Sequence, residues 1–109
     1  MPTFEDWQAL RVRVGTVARA EPHPRSRQPA LRLWIDFGDL GRLQSSARLT
    51  DLYTTDDLVG RQVVAVTGFP PLRVGGFRSE VLVLGALADD GAVVLLGPDR
   101  PVEPGSVVA

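Results

Sequence analysis

Arginine carries most of the chemistry this sequence has to offer. Arg11, Arg13, Arg19, Arg25, Arg27 and Arg32 fall within 22 positions that hold one acid, Glu21. All 12 basic residues are arginine and none is lysine. A guanidinium is a planar fork that suits phosphate or carboxylate better than a point charge does. A GC-rich coding bias also produces such usage, so the composition alone does not make a site. The C-terminal end is acidic, with Asp89, Asp90, Asp99 and Glu103 against Arg100. The net charge of −1 argues by itself against a generic nucleic-acid binder. The distribution instead predicts one basic side.

Catalytic constellations are missing. His23 is the only histidine; its loop has no nucleophile pattern, and no second histidine exists to share a metal. Asp56-Asp57 and Asp89-Asp90 fall at a helix start and a turn, where capping and turn chemistry explain them better than acid–base work. No Walker or dinucleotide-binding glycine loop is present. The chain has no cysteine, which excludes disulfides and thiolate metal sites. The expectation is a non-enzymatic binding protein without cofactor or metal. Residues Met1 to Asp6 lack the basic and apolar regions of a signal peptide. No apolar run reaches the roughly 18 residues of a membrane span. A cytoplasmic protein is expected.

These side chains need elements to hold them. At 109 residues the chain makes one domain. Thr3 and Asp6 are spaced as a capping box, and Phe4, Trp7 and Leu10 share a face, so 3–9 reads as a short helix that must pack on the body or a partner. Residues 10–19 alternate, with Leu10, Val12, Val14, Thr16 and Ala18 on one side and Arg11, Arg13, Gly15, Val17 and Arg19 on the other. They read as a half-buried strand with arginines on its open face. A Pro-rich loop follows. Residues 30–37 form a second strand, with Leu31, Leu33, Ile35 and Phe37 inward and Arg32, Trp34 and Asp36 outward. Residues 42–48 make a third. Thr54 or Thr55 caps a helical turn ended by Gly60. Residues 62–67 are apolar on both faces, as in a central strand, and 79–87 and 92–96 complete the set. Three strands, a short helix and further strands fit a five-stranded OB-fold Greek-key barrel, although sandwiches share such lengths.

Outward Trp34 beside Arg32 would stack an unpaired base or hold an apolar peptide side chain; a loop or partner would equally cover it. Phe69, Leu72 and Phe77 are further candidates for exposed apolar surface.

The residues Leu10-Arg11-Val12-Arg13-Val14-Gly15-Thr16-Val17 resemble the opening of the tRNA-binding domain family. The likeness continues at His23-Pro24, Ile35-Asp36-Phe37-Gly38, Gln44-Ser45-Ser46-Ala47, Phe69-Pro70-Pro71 and Gly76 to Gly85. The last block, with Val93 to Val102, resembles the CsaA branch of dimeric, export-related chaperones. The chain departs from the pattern at Arg11, where the family carries an acid, at Gly68 for Asn, and at Leu72 for a basic residue. It also has Glu80-Val81-Leu82 in place of a Gln-Gly-Met-like ending.

The resemblance implies an all-β OB fold over 10–88 and a C-terminal dimerisation extension over 89–109. It implies a CsaA-like chaperone that binds unfolded or precursor protein segments, with tRNA binding through the basic face as the alternative. Implied nucleic-acid or peptide contacts are Arg11, Arg13, Arg32, Trp34, Ser45, Ser46, Arg73, Arg78, Ser79 and Glu80, although Ser79 and Glu80 would equally tie their loop to the barrel. Phe4, Trp7, Val93, Val94, Leu95, Leu96, Pro98 and Val102 would form a homodimer surface.

Overall fold

Thr3 starts helix α1 (Phe4–Leu10) in the computed structural model, which describes residues 1–109. The Asp6 N–H donates to the Thr3 hydroxyl at 3.2 Å, and the Thr3 N–H donates to the Asp6 carboxylate at 2.8 Å. The capping box read from the sequence is therefore formed. No residue of α1 is buried, and Phe4 is 70% exposed. The helix's backbone hydrogen bonds to the body lie at its C-terminal end, where the Gly68 and Thr67 N–H groups donate to Leu10 and Arg11 carbonyls at 2.9 and 3.1 Å. A Cβ on Gly68 would stand 2.2 Å from the Ala9 carbonyl oxygen, so any side chain there would push the helix away.

Strands β1 (Val12–Pro22), β2 (Leu31–Asp36) and β3 (Arg42–Ala47) form an antiparallel meander. Helix α2 (Thr55–Leu58) follows, and Leu58 is fully buried in the core. Strand β4 (Gln62–Val66) then returns beside β1. A short hairpin, β5 (Leu72–Val74) and β6 (Phe77–Ser79), leads to β7 (Leu82–Val83), which pairs with β4. The sheet order is β3-β2-β1-β4-β7. This is a Greek key curled into a nearly closed five-stranded OB barrel with the helix between its third and fourth strands. A last hairpin joins β8 (Gly85–Leu87) to β9 (Val93–Leu95).

The core joins Val17, Leu33, Ile35, Phe37, Leu58, Val63 and Ala65 with Leu31, Leu49 and Val81. Leu31, Leu33, Ile35 and Phe37 point inward as their alternation predicts. The phase of β1 departs from the expectation in its middle: Val12 and Val14 are buried as expected, but Gly15 and Val17 rather than they face the main core. Val17 lies in the core, and a Cβ on Gly15 would meet the Ile35 and Phe37 side chains, so the face with the arginine-rich register turns inward along this stretch. Val12 and Val14 are also buried but stand outside the core cluster; Val12 sits with Phe4, Trp7 and Val107. Apolar residues occupy both registers of this strand, so its alternation alone does not set the phase. Residues 105–108 run along β1, with Gly105 N–H donating to Val14 at 2.7 Å and Val108 N–H to Val12 at 3.0 Å. A register shift between Val17 and Arg19 then turns Arg19 outward, while Ala20 packs on the core.

The strand expected over 79–87 is broken into three. Residues 77–79 pair within the hairpin, 82–83 pair with β4, and 85–87 pair with β9. Each piece serves a different neighbour, which a continuous apolar run cannot reveal.

Candidate nucleic-acid interface

Antiparallel register sets two rows of side chains across the outer face of the barrel: Arg19, Trp34 and Gln44, then Glu21, Arg32 and Ser46. Directly opposed residues on one face are close enough to interact. The Arg19 guanidinium lies 4.7 Å from the Trp34 ring centroid, and that of Arg32 lies 5.9 Å away. Glu21 ion-pairs with both arginines, at 3.1 Å to Arg32. The Trp34 indole N–H donates to Gln44 Oε1 at 3.2 Å.

The β5–β6 hairpin lays Phe77 onto this face. Its ring meets Trp34 edge-on, with centroids 5.7 Å apart and planes at 87°, and the Arg32 guanidinium lies 5.8 Å from its centroid. Gly75 and Gly76, with φ of +55° and +79°, make the sharp turn. What approaches their backbone is the chain itself: a Cβ on Gly75 would lie 2.5 Å from the Arg25 carbonyl oxygen. The Gly-Gly turn thus docks the hairpin on the loop after β1. Beneath it His23, 4% exposed, bonds Ser46 Oγ through Nδ1 at 2.8 Å and packs on Phe77 at 5.5 Å.

Ser79 and Glu80 tie their loop to the barrel, one of the two roles their positions allowed. The Ser46 N–H donates to Ser79 Oγ and the Gln44 N–H to Glu80 Oε1, both at 3.1 Å. Glu80 N–H donates back to the Gln44 carbonyl at 2.8 Å. The open edge of β3 is thereby satisfied by side chains where a neighbouring strand would otherwise supply carbonyls. Arg78 and Arg73 pair across the hairpin, and Arg78 is 58% exposed beside Glu80.

The structure therefore brings together Arg32, Trp34, Ser46, Arg73, Arg78, Ser79 and Glu80 of the residues singled out above. It leaves out three. Ser45 is 1% exposed within the barrel, because its neighbour Ser46 takes the outward position. Arg13 donates to the Gly105 carbonyl at 3.1 Å, and Arg11 is the left-handed cap of α1; both line a groove with Phe4, Trp7 and Val107, apart from the Trp34 rows. Arg19, Glu21, His23, Gln44 and Phe77 join the face without having been assigned to it. Arg19 was legible in the strand pattern. His23 and Phe77 become partners only through the hairpin fold.

A groove of about 490 Å³ lies on the other side of the hairpin, lined by Phe69, Pro70, Leu72 and Leu82 with Ser46 and Glu80 at its polar edge. Leu72 is 69% exposed and Phe69 46%. Of the expected dimer surface, Val93 and Leu95 pack on the core, since alternate residues of β9 face opposite ways. Val94, Leu96 and Val102 remain exposed, and Pro98 is partly buried. No helix is long and apolar enough to cross a membrane.

Comparison with known proteins agrees with this architecture. A family model described as a putative tRNA binding domain matches residues 12–107. The crystal structure of the chaperone CsaA from Bacillus anthracis is 51% identical, with a TM-score of 0.94, covering 100% of this chain and 99% of that one. CsaA from Picrophilus torridus is 42% identical with a TM-score of 0.92, each chain covered completely. Methionine–tRNA ligase of Methanosarcina acetivorans is 36% identical over 105 residues, 94% of this chain but only 14% of the ligase. The chain therefore spans about a seventh of that enzyme's length. With a matching family model over most of its length and an OB barrel to carry it, the chain belongs to the tRNA-binding domain family, close to its CsaA members.

Proposed function

We propose that this protein binds tRNA through the outer face of β1, β2 and β3 and the β5–β6 hairpin. One observation carries the reading. Arg19 and Arg32 lie over the Trp34 ring, Arg32 also lies over Phe77, and Arg25, Arg73 and Arg78 stand on the adjoining loop and hairpin, against the two carboxylates Glu21 and Glu80. Guanidinium groups supply salt-dependent phosphate contacts, and aromatic rings stack unpaired bases. Binding needs no catalytic group, and none is assigned. The cytoplasm is the compartment that suits a tRNA ligand.

A second reading, chaperone binding of unfolded or precursor segments for export, is favoured by the apolar groove at Phe69, Leu72 and Leu82 and by the likeness to CsaA structures. That groove then holds apolar side chains, and affinity survives high salt. We also propose a homodimer. Helix α1 buries none of its own residues, and a groove of about 310 Å³ beside Phe4, Trp7 and Val107 is open to a second copy; Val94, Leu96 and Val102 extend the exposed apolar surface.

Titrating labelled tRNA and an unfolded polypeptide at low and high salt separates the readings. The tRNA reading expects binding at low ionic strength that falls steeply with salt and is lost with Trp34→Ala. Undetectable tRNA binding at low ionic strength rules it out. Salt-resistant polypeptide binding weakened by Leu72→Asp supports the chaperone. Sedimentation gives the subunit count, and a monomer at all concentrations rejects the dimer.

A further inference from the structure

The Trp34 ring is not an empty platform. Arg19 occupies it, 4.7 Å from the centroid, and Glu21 holds Arg19 there through an ion pair. Glu21 also holds Arg32 at 3.1 Å, so one carboxylate sets both cations beside the same indole. The other borders of the ring are committed: Phe77 meets it edge-on, and Gln44 accepts its indole N–H. Of the two cations, Arg19 is the more exposed. Its side chain is 60% exposed, against 32% for Arg32, whose Nε is buried.

A guanidinium is planar and lies on an indole much as a base does. The two cannot share the same face. A nucleotide, however, brings both the base that replaces Arg19 and the phosphate that replaces Glu21 as its partner. We propose that Trp34 is a subsite for one unpaired base, with Arg19 as its gate: the base displaces the guanidinium, which moves from Glu21 to the neighbouring phosphate. The proposal rests on the tRNA reading and adds a selection to it. A neutral planar compound meets a closed site, because it displaces Arg19 and offers nothing in return. Duplex RNA offers phosphate but no free base face. Only an unpaired nucleotide within a strand offers both.

The gate has a signature that a simple phosphate contact lacks, since removing Arg19 helps one ligand and harms another. 2-Aminopurine riboside, a neutral nucleoside whose fluorescence is quenched by stacking, is titrated into wild type, Arg19→Ala and Arg19→Ala/Trp34→Leu. Half-saturation is expected at least about fivefold lower in Arg19→Ala than in wild type, the low end of one base–aromatic stack. The double variant should lose this gain. Glu21→Gln, which frees Arg19 without removing it, should shift the nucleoside in the same direction. For a short unpaired RNA containing 2-aminopurine, Arg19→Ala should reduce the salt slope by about 0.7, one phosphate contact. Equal nucleoside binding by wild type and Arg19→Ala, or by the single and double variants, overturns the gate. Failure of wild type to bind tRNA would instead sink the reading beneath it, and the nucleoside titrations tell these two failures apart.

Discussion

His23 Nδ1 lies 2.8 Å from Ser46 Oγ, which pins the loop after β1 to β3 beneath the β5–β6 hairpin. The ring is 4% exposed, packs on Phe77, and has no polar partner at Nε2. Its one hydrogen bond therefore matters. Ser46→Ala is expected to destabilise the fold by about 1–2 kcal/mol, the cost of stranding a buried polar group. His23→Ala should cost more, about 2–4 kcal/mol, because it also vacates volume under Phe77. Urea unfolding at constant slope measures both, and unchanged midpoints would show that the pair does not hold the hairpin.

The barrel seam makes a separate prediction. Gln44 and Ser46 give their N–H groups to the Glu80 and Ser79 side chains. Ser79→Ala should accelerate amide exchange at Ser46, and Glu80→Ala at Gln44, each with a loss of about 1–2 kcal/mol. Glu80→Gln keeps an accepting oxygen and should protect Gln44 nearly as well as wild type. Equal exchange in Glu80→Ala and wild type would mean that the carboxylate does not close the seam.

Much of this fold can be read from local pattern. The Thr3 capping box, the threonine cap of α2, the inward set Leu31, Leu33, Ile35 and Phe37, and the helix between the third and fourth strands all depend on near neighbours. The phase of β1 could not be read, because Val12, Val14, Gly15 and Val17 offer apolar residues in both registers, and only the packing of Gly15 and Val17 toward the core side chains of β2 and its end distinguishes them. The site divides the same way. Trp34 and Arg32 follow from the alternation of β2. Ser79 and Glu80 sit at the right positions, yet their role depends on β3, more than 30 residues earlier. His23 is marked only by the His23-Pro24 block of the resemblance; its contacts with Ser46 and Phe77 appear only in the fold.

Asp57 supplies the pH dependence. It accepts from the Thr54 N–H at 2.9 Å, and its own N–H donates to Thr54 Oγ at 3.3 Å. The bond from the Thr54 backbone, then that with its side chain, and then the Arg61 charge hold the Asp57 carboxyl below its ordinary 3.8. A pKa lowered by folding means stability that is full above the unfolded value and lost as pH falls through the folded one. Asp57→Asn should therefore have a lower Tm than wild type near neutrality, and the gap should close as pH falls below the ordinary 3.8 and through the lowered folded value. A gap that stays constant with pH would remove the charge from the cap. Thr54→Ala should cost about 1 kcal/mol through the lost cap.

Arg13 and Arg78 give the sharpest contrast within the basic side. Arg13 belongs to the motif that resembles the family's opening, but its guanidinium is turned to the Gly105 carbonyl at 3.1 Å, beside α1. Arg78 stands on the hairpin, 58% exposed, with only a 3.7 Å pairing to Glu80 to hold it. If tRNA lies across Trp34 and Phe77, Arg78→Ala should weaken binding evenly across tRNA sequences and reduce the salt slope by about 1, as loss of one phosphate contact does. Arg13→Ala should leave that slope unchanged and instead lower Tm, because it frees the segment that lies along β1. The measurement is the affinity of each variant at several salt concentrations, together with its thermal midpoint. A reduced slope for Arg13→Ala and none for Arg78→Ala would move the tRNA from the outer face of β2 and β3 to the α1 end of the barrel.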